Sequence, residues 1–154
     1  MSDYFSNWLE NNKGAQALID KSYKKYCEKN KKPVPKVNTE LATLGDAVLK
    51  LVLCKILYEI EVKKLTEEKK RYESDEVLVK FIASHYNLLY YIKRDQKDEE
   101  NYAYTGNPHK YIATAVEACL GQIFIDEKYC LNEIIKIVSE WMRIIDKELK
   151  NETE

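Results

Sequence analysis

Apolar residues recur along this chain at helical spacing, and no segment alternates strictly in the manner of a strand. Residues 4 to 30 predict one or two short helices. There Ala15, Leu18, Ile19, Tyr23 and Tyr26 keep the helical period, and Gly14 marks a break. The next stretch, KNKKPVPKVN, is a connector held extended by Pro33 and Pro35. Asn38 or Thr39 then caps a helix that runs to about Ile60. Its apolar positions Leu41, Leu44, Val48, Leu51, Val52 and Ile56 form a stripe, widened by Leu53 and Leu57. A stripe that broad predicts a central helix, buried over much of its surface.

Two more helices are expected near 65–72 and 74–86, the second capped by Ser74 or Asp75, with Val77, Leu78, Phe81 and Ile82 as its core face. A short helix over 87–93 precedes a polar, acidic connector, residues 94–108. Connectors of that length often carry function. An apolar helix follows from about His109 to Ile125, and an amphipathic one from Leu131 to Leu149, with Trp141 and Met142 on its apolar face. The expected fold class is all-α, six to eight helices, forming one domain over residues 1–154.

Composition agrees. Gly and Pro number only 4 and 3 in 154 residues, fewer than a turn-rich β protein needs. The formal net charge is -1, so any nucleic-acid binding must rest on a local patch, a metal ion or a partner. Positive charge does collect early: up to Glu40 there are eight lysines against five acids. Lys21, Lys24, Lys25, Lys29, Lys31, Lys32 and Lys36, with Lys63, Lys64, Lys69, Lys70 and Arg71, can meet phosphates, although such runs are commonly a solvated helix face. No apolar run is long enough to cross a membrane, and the first residues lack the pattern of a signal peptide. Cys27, Cys54, Cys119 and Cys130 form no CxxC pair, which suits a reduced, cytoplasmic setting better than a zinc site.

Two places break the helical pattern, and such breaks often mark function. Gly45 and Asp46 interrupt the most apolar helix, in ELATLGDAVLKLVL. Gly costs ~1 kcal/mol relative to Ala inside a helix, and Asp competes there for backbone hydrogen bonds. Asp46 sits beside the core stripe and needs a partner, a metal or water. The second break is Glu117 in YIATAVEACLGQIF. Thr114, Ala113 and Gly121 lie on its helical face, so a long carboxylate rises from a floor of small residues. Two such carboxylates on adjacent helices can share a divalent cation, and Mg²⁺ suits because it uses few protein carboxylates. The plainer alternative pairs Asp46 with Lys50 at i+4, and Glu117 with Lys110 or another lysine.

These segments resemble a known family. NTELATLGDAVL is similar to the signature helix of the ribonuclease III family, written NERLEFLGDAVL, and HKYIATAVEACLGQIFID to its second active-site helix, of the form KxLADAFEALIGAIYLD. AQALIDKSYKKY resembles its first helix, with the pattern ALxHxSY, and SDEVLVKFIASHYNL the helix that begins NNExLAxxA. The likeness spans about residues 15 to 145. It implies a ribonuclease III-type endonuclease fold, with the family's catalytic, metal-binding Asp on Asp46 and its metal-binding Glu on Glu117. Other acids of the family pattern are replaced by Thr39, Ala42 and Thr114, and Glu40 lies on another face from Ala42. Those replacements at Ala42 and Thr114 resemble the short Mini-III branch, which also lacks a double-stranded-RNA-binding domain.

The resemblance implies a Mg²⁺-dependent endoribonuclease, with Mn²⁺ as substitute. It would act as a homodimer on double-stranded or structured RNA, such as an rRNA precursor, and leave 5′-phosphate and 3′-hydroxyl ends. The rival expectation is a catalytically inactive RNA-binding or dimeric assembly module of the same fold. Glu76 is an expected neighbour of the metal site, His85 and His109 are expected to be structural, and Tyr90, Tyr91, Tyr102, Tyr104 and Tyr111 to be packing or dimer contacts.

Overall fold

The computed structural model describes residues 3–95 and 109–154. Helix α1, Tyr4–Asn11, starts at Asp3, whose side chain accepts the Ser6 backbone N–H. Gly14 turns the chain at φ 82°, where a glycine meets no steric penalty. A short 3-10 turn, Gln16–Leu18, precedes α2, Lys21–Lys29. The helical run expected across Ala15 to Tyr26 is therefore broken at Ile19. That residue is extended and bridges in parallel to Lys93, while Asp20 caps α2 through the Ser22 N–H.

Helix α3, Thr39–Glu59, and helix α6, Lys110–Asp126, make the most extensive contact in the molecule. Asn38 stands at the α3 N-cap, but its side chain caps nothing. It is buried and donates to the Ala17 carbonyl at 3.1 Å, tying the 3-10 turn to the start of α3. The expected stripe on α3 is buried at Leu41, Val48, Val52, Leu53 and Leu57 and is joined by Leu49, whereas Leu51 is 56% exposed. The contact with α6 sets the rotation of the helix, because Gly45 faces α6 backbone to backbone. Helix α6 is apolar on nearly every side and buries Ile112, Val116, Cys119, Leu120 and Ile123.

Helix α4, Leu65–Glu73, packs on α3. Ser74 then caps α5, Asp75–Val77, by accepting the Val77 N–H at 3.2 Å. From Leu78 to Ala83 this helix widens to π geometry, which places the consecutive residues Phe81, Ile82 and Ala83 all in the core. A 3-10 turn, Leu88–Tyr91, ends the segment. Helix α7, Asn132–Thr153, runs four residues past the expected end and buries Ile134, Ile137, Val138, Trp141, Ile144 and Ile145. Phe5 meets Trp141 and Tyr86 edge to face at 5.3 and 4.7 Å, and the Tyr86 hydroxyl donates to Asp3, so α1 is locked onto this layer. Among the described residues the chain is all-α, with the one isolated bridge at Ile19 as its only extended pairing. The acidic connector expected at 94–108 lies outside the described residues from 96 onward, and so do Tyr102 and Tyr104.

Candidate active site

Glycine on both helices creates the site. A Cβ on Gly45 would lie 1.6 Å from the Glu117 carbonyl oxygen, and one on Gly121 would lie 2.2 Å from that of Leu41. Only hydrogen fits at either position, so α3 and α6 touch backbone to backbone. Asp46 follows Gly45 at this crossing, and Glu117 is the residue whose carbonyl Gly45 meets. The two acids singled out in the sequence are therefore neighbours, close enough for the Asp46 charge to act on the Glu117 carboxyl.

Two adjacent carboxylates repel unless a proton or a cation lies between them. Glu117 is only 9% exposed. Burial, then the charges of Asp46 and Asp75, push its carboxyl up to about 8, and Lys110 opposes the shift. Among the described residues no lysine hydrogen-bonds the Glu117 carboxyl, and Lys110 acts on it through charge alone. Asp46 is half-buried and accepts from the Lys50 ammonium at 2.9 Å. The i+4 pairing anticipated for Asp46 is thus present. Lys110 instead turns to Asp75, at 2.6 Å, and does not bond Glu117.

The two acids open into a cleft of about 450 Å³, also lined by Lys50, Lys70, Glu73, Ser74, Asp75 and Lys110. Four carboxylates and three ammonium groups thus share it. Asp75 and Glu73 were not anticipated as site residues. Their signal was present in ESDE, but in that context an acid beside Ser74 reads as helix-capping chemistry. Glu76, expected beside the metal site, lines a neighbouring hollow with Val79, Lys80 and His109 instead. His85 is at the surface against the Tyr86 ring, apart from the cleft. Of the basic residues expected to meet phosphates, Lys70 lines the cleft, whereas Lys69 pairs with Glu73 and Arg71 with Asp146.

The replaced positions are accounted for. Ala42 is buried in the core, Thr39 and Glu40 are exposed, and Thr114 turns its hydroxyl back to the Lys110 carbonyl at 2.9 Å. Among the described residues no three Asp, Glu, His or Cys side chains converge as a metal cage. Two carboxylates remain, and that donor set fits a hydrated Mg²⁺, which keeps most of its waters.

The family model described as the ribonuclease III domain matches residues 39–128, a span that holds α3 through α6 and both acids. Among solved structures, the chain is similar to the nuclease domain of ribonuclease III from Campylobacter jejuni, a protein with structural flexibility in the region involved in dimer formation. Identity is 27%, the TM-score is 0.63, and the match covers 95% of this chain and 90% of that one. With the family model matched over more than half of its length and a fold shared with that nuclease domain, the chain belongs to the ribonuclease III domain family.

Proposed function

We propose that this protein is a metal-dependent endoribonuclease that hydrolyses double-stranded or structured RNA, with Asp46 and Glu117 as its metal-binding and catalytic residues. The observation that carries this reading is the pairing of a buried Glu117 with Asp46 at a glycine crossing, open to a cleft. Once both acids ionise, such a pair is costly unless a cation completes it. Mg²⁺, or Mn²⁺ in its place, would be held by Asp46 and Glu117, and would supply charge stabilisation at a phosphodiester and ease deprotonation of water.

The residues then divide the work. Asp46, the more exposed acid, orients the attacking water. Glu117, fixed by burial, sets the position of its partner. Lys70 and Lys110 offer ammonium groups to the phosphate oxygens. In the reaction the water oxygen bonds to phosphorus and the P–O3′ bond breaks. The 3′ oxygen takes up a proton, leaving 5′-phosphate and 3′-hydroxyl ends. Recognition follows A-form shape and 2′-hydroxyls rather than base sequence. An rRNA precursor is the proposed natural substrate, in keeping with the Mini-III likeness of Ala42 and Thr114.

A homodimer carries one active site per RNA strand in this reading. Leu51, Tyr58, Ile60 and Tyr129 are each more than half exposed and offer apolar surface for it. The four unpaired cysteines suit a reducing cytoplasm, and no described helix is long and apolar enough to cross a membrane. End-labelled duplex RNA incubated with Mg²⁺ should yield fragments with 5′-phosphates, and none in excess EDTA. Intact RNA with a folded dimer, an rRNA precursor included among the substrates, would instead favour the inactive assembly module.

A further inference from the structure

The i+4 pairing of Lys50 with Asp46 lies inside the site. Lys50 stands four residues after Asp46 on α3, and its ammonium lies 2.9 Å from Asp46 Oδ2. It lines the same cleft as Glu117. The same spacing recurs on α3 at Lys55 and Glu59, whose pair lies on the helix surface away from that cleft. One i+4 lysine–acid pair is thus built into the site, and a second serves as a natural control. Asp46 thus holds the Lys50 ammonium while it lines the cleft beside Glu117. A divalent cation approaching Asp46 meets a carboxylate oxygen already paired with an ammonium.

We infer that Lys50 is the resident counter-cation of the active site, which the divalent cation displaces and which then binds the phosphodiester. The inference rests on the metal-dependent reading above. The pair is displaceable because both side chains are well exposed, at 46% and 39%, and an exposed ion pair is weak. The displaced ammonium stays beside the cleft, since its four-carbon stem is anchored on α3, and a flexible ammonium suits a phosphate oxygen. Lys50 is in this sense a positioning and substrate-binding residue, one that sets how much cation the site needs.

The test is calorimetric titration of Mn²⁺ into the intact protein, as wild type, Lys50→Met, Lys50→Arg, Lys55→Met and Asp46→Asn. Removing the competing charge should tighten cation binding about three- to tenfold in Lys50→Met. Lys50→Arg and Lys55→Met should match wild type, and Asp46→Asn should lose the site. At saturating Mg²⁺, Lys50→Met should raise KM for duplex RNA with little change in kcat. Equal or weaker cation binding in Lys50→Met overturns the competition. Tighter binding with unchanged KM overturns the phosphate role. Absence of any Asp46-dependent cation binding in wild type is a different result, and it overturns the metal-dependent reading itself.

Discussion

Glu117 holds the tension of the site in a single side chain. Its carboxyl is raised to about 8 by burial and by the Asp46 and Asp75 charges, against an ordinary 4.5. The folded chain therefore keeps this proton over a range where the unfolded chain has lost it, and gives up stability as pH climbs from about 4.5 to about 8. Glu117→Gln removes that dependence. Urea unfolding without divalent cations should find the variant equal to wild type near pH 4. Near pH 8 it should be more stable by at least about 1 kcal/mol. A difference that does not change with pH would contradict the assignment. At this scale the sequence was informative where polarity broke an apolar helix, as at Asp46 and Glu117. It was silent on Glu73 and Asp75, because an acid next to a capping Ser74 looks the same whether or not it faces a cleft.

Helices α3 and α6 hold the acids together only because glycine occupies both sides of their crossing. Gly45→Ala places a methyl 1.6 Å from the Glu117 carbonyl oxygen, a backbone atom that cannot move without its helix. Overpacking of this kind costs about 3 kcal/mol or more, and chemical denaturation should show it. Gly45→Ala within about 0.5 kcal/mol of wild type would mean the helices stand further apart. Small residues around Glu117 made close packing legible in advance, but which glycine met which backbone was not, since that depends on helix rotation. The misassigned Leu51 has the same origin: turning Gly45 to α6 carries Leu51 outward.

The helix ends show another economy. Lys31, Glu61 and Lys128 sit at φ 53°, 57° and 52°, where glycine is the default. In each case the following residue's N–H bonds back six residues inclusive, at Lys32 to Cys27, Val62 to Leu57 and Tyr129 to Phe124. Replacing Lys31 or Glu61 by Gly should therefore stabilise the protein by about 0.5–1 kcal/mol, read from thermal unfolding, since the strain of a Cβ there is relieved. Destabilisation would contradict the left-handed geometry. Few glycines in the sequence correctly pointed to helix, but they hid where the helices stop.

Across the whole molecule, a chain of net charge -1 must bind a polyanion through local charge. Duplex affinity should fall with salt, and Lys70→Ala should reduce the slope of log affinity against log salt by about 1. Unchanged slope would place Lys70 outside the RNA path. The fold was readable because its helices are amphipathic or apolar with clear periods, while the extended pairing of Ile19 with Lys93 involves backbone alone and leaves no such mark. The central claim is that one Asp and one Glu suffice for metal-dependent RNA cleavage here. Its most direct test compares wild type, Asp46→Asn and Glu117→Gln on end-labelled duplex RNA in Mg²⁺. Wild type should cleave, and either variant should lose at least about a hundredfold while all three stay folded. Cleavage that survives both substitutions would contradict it.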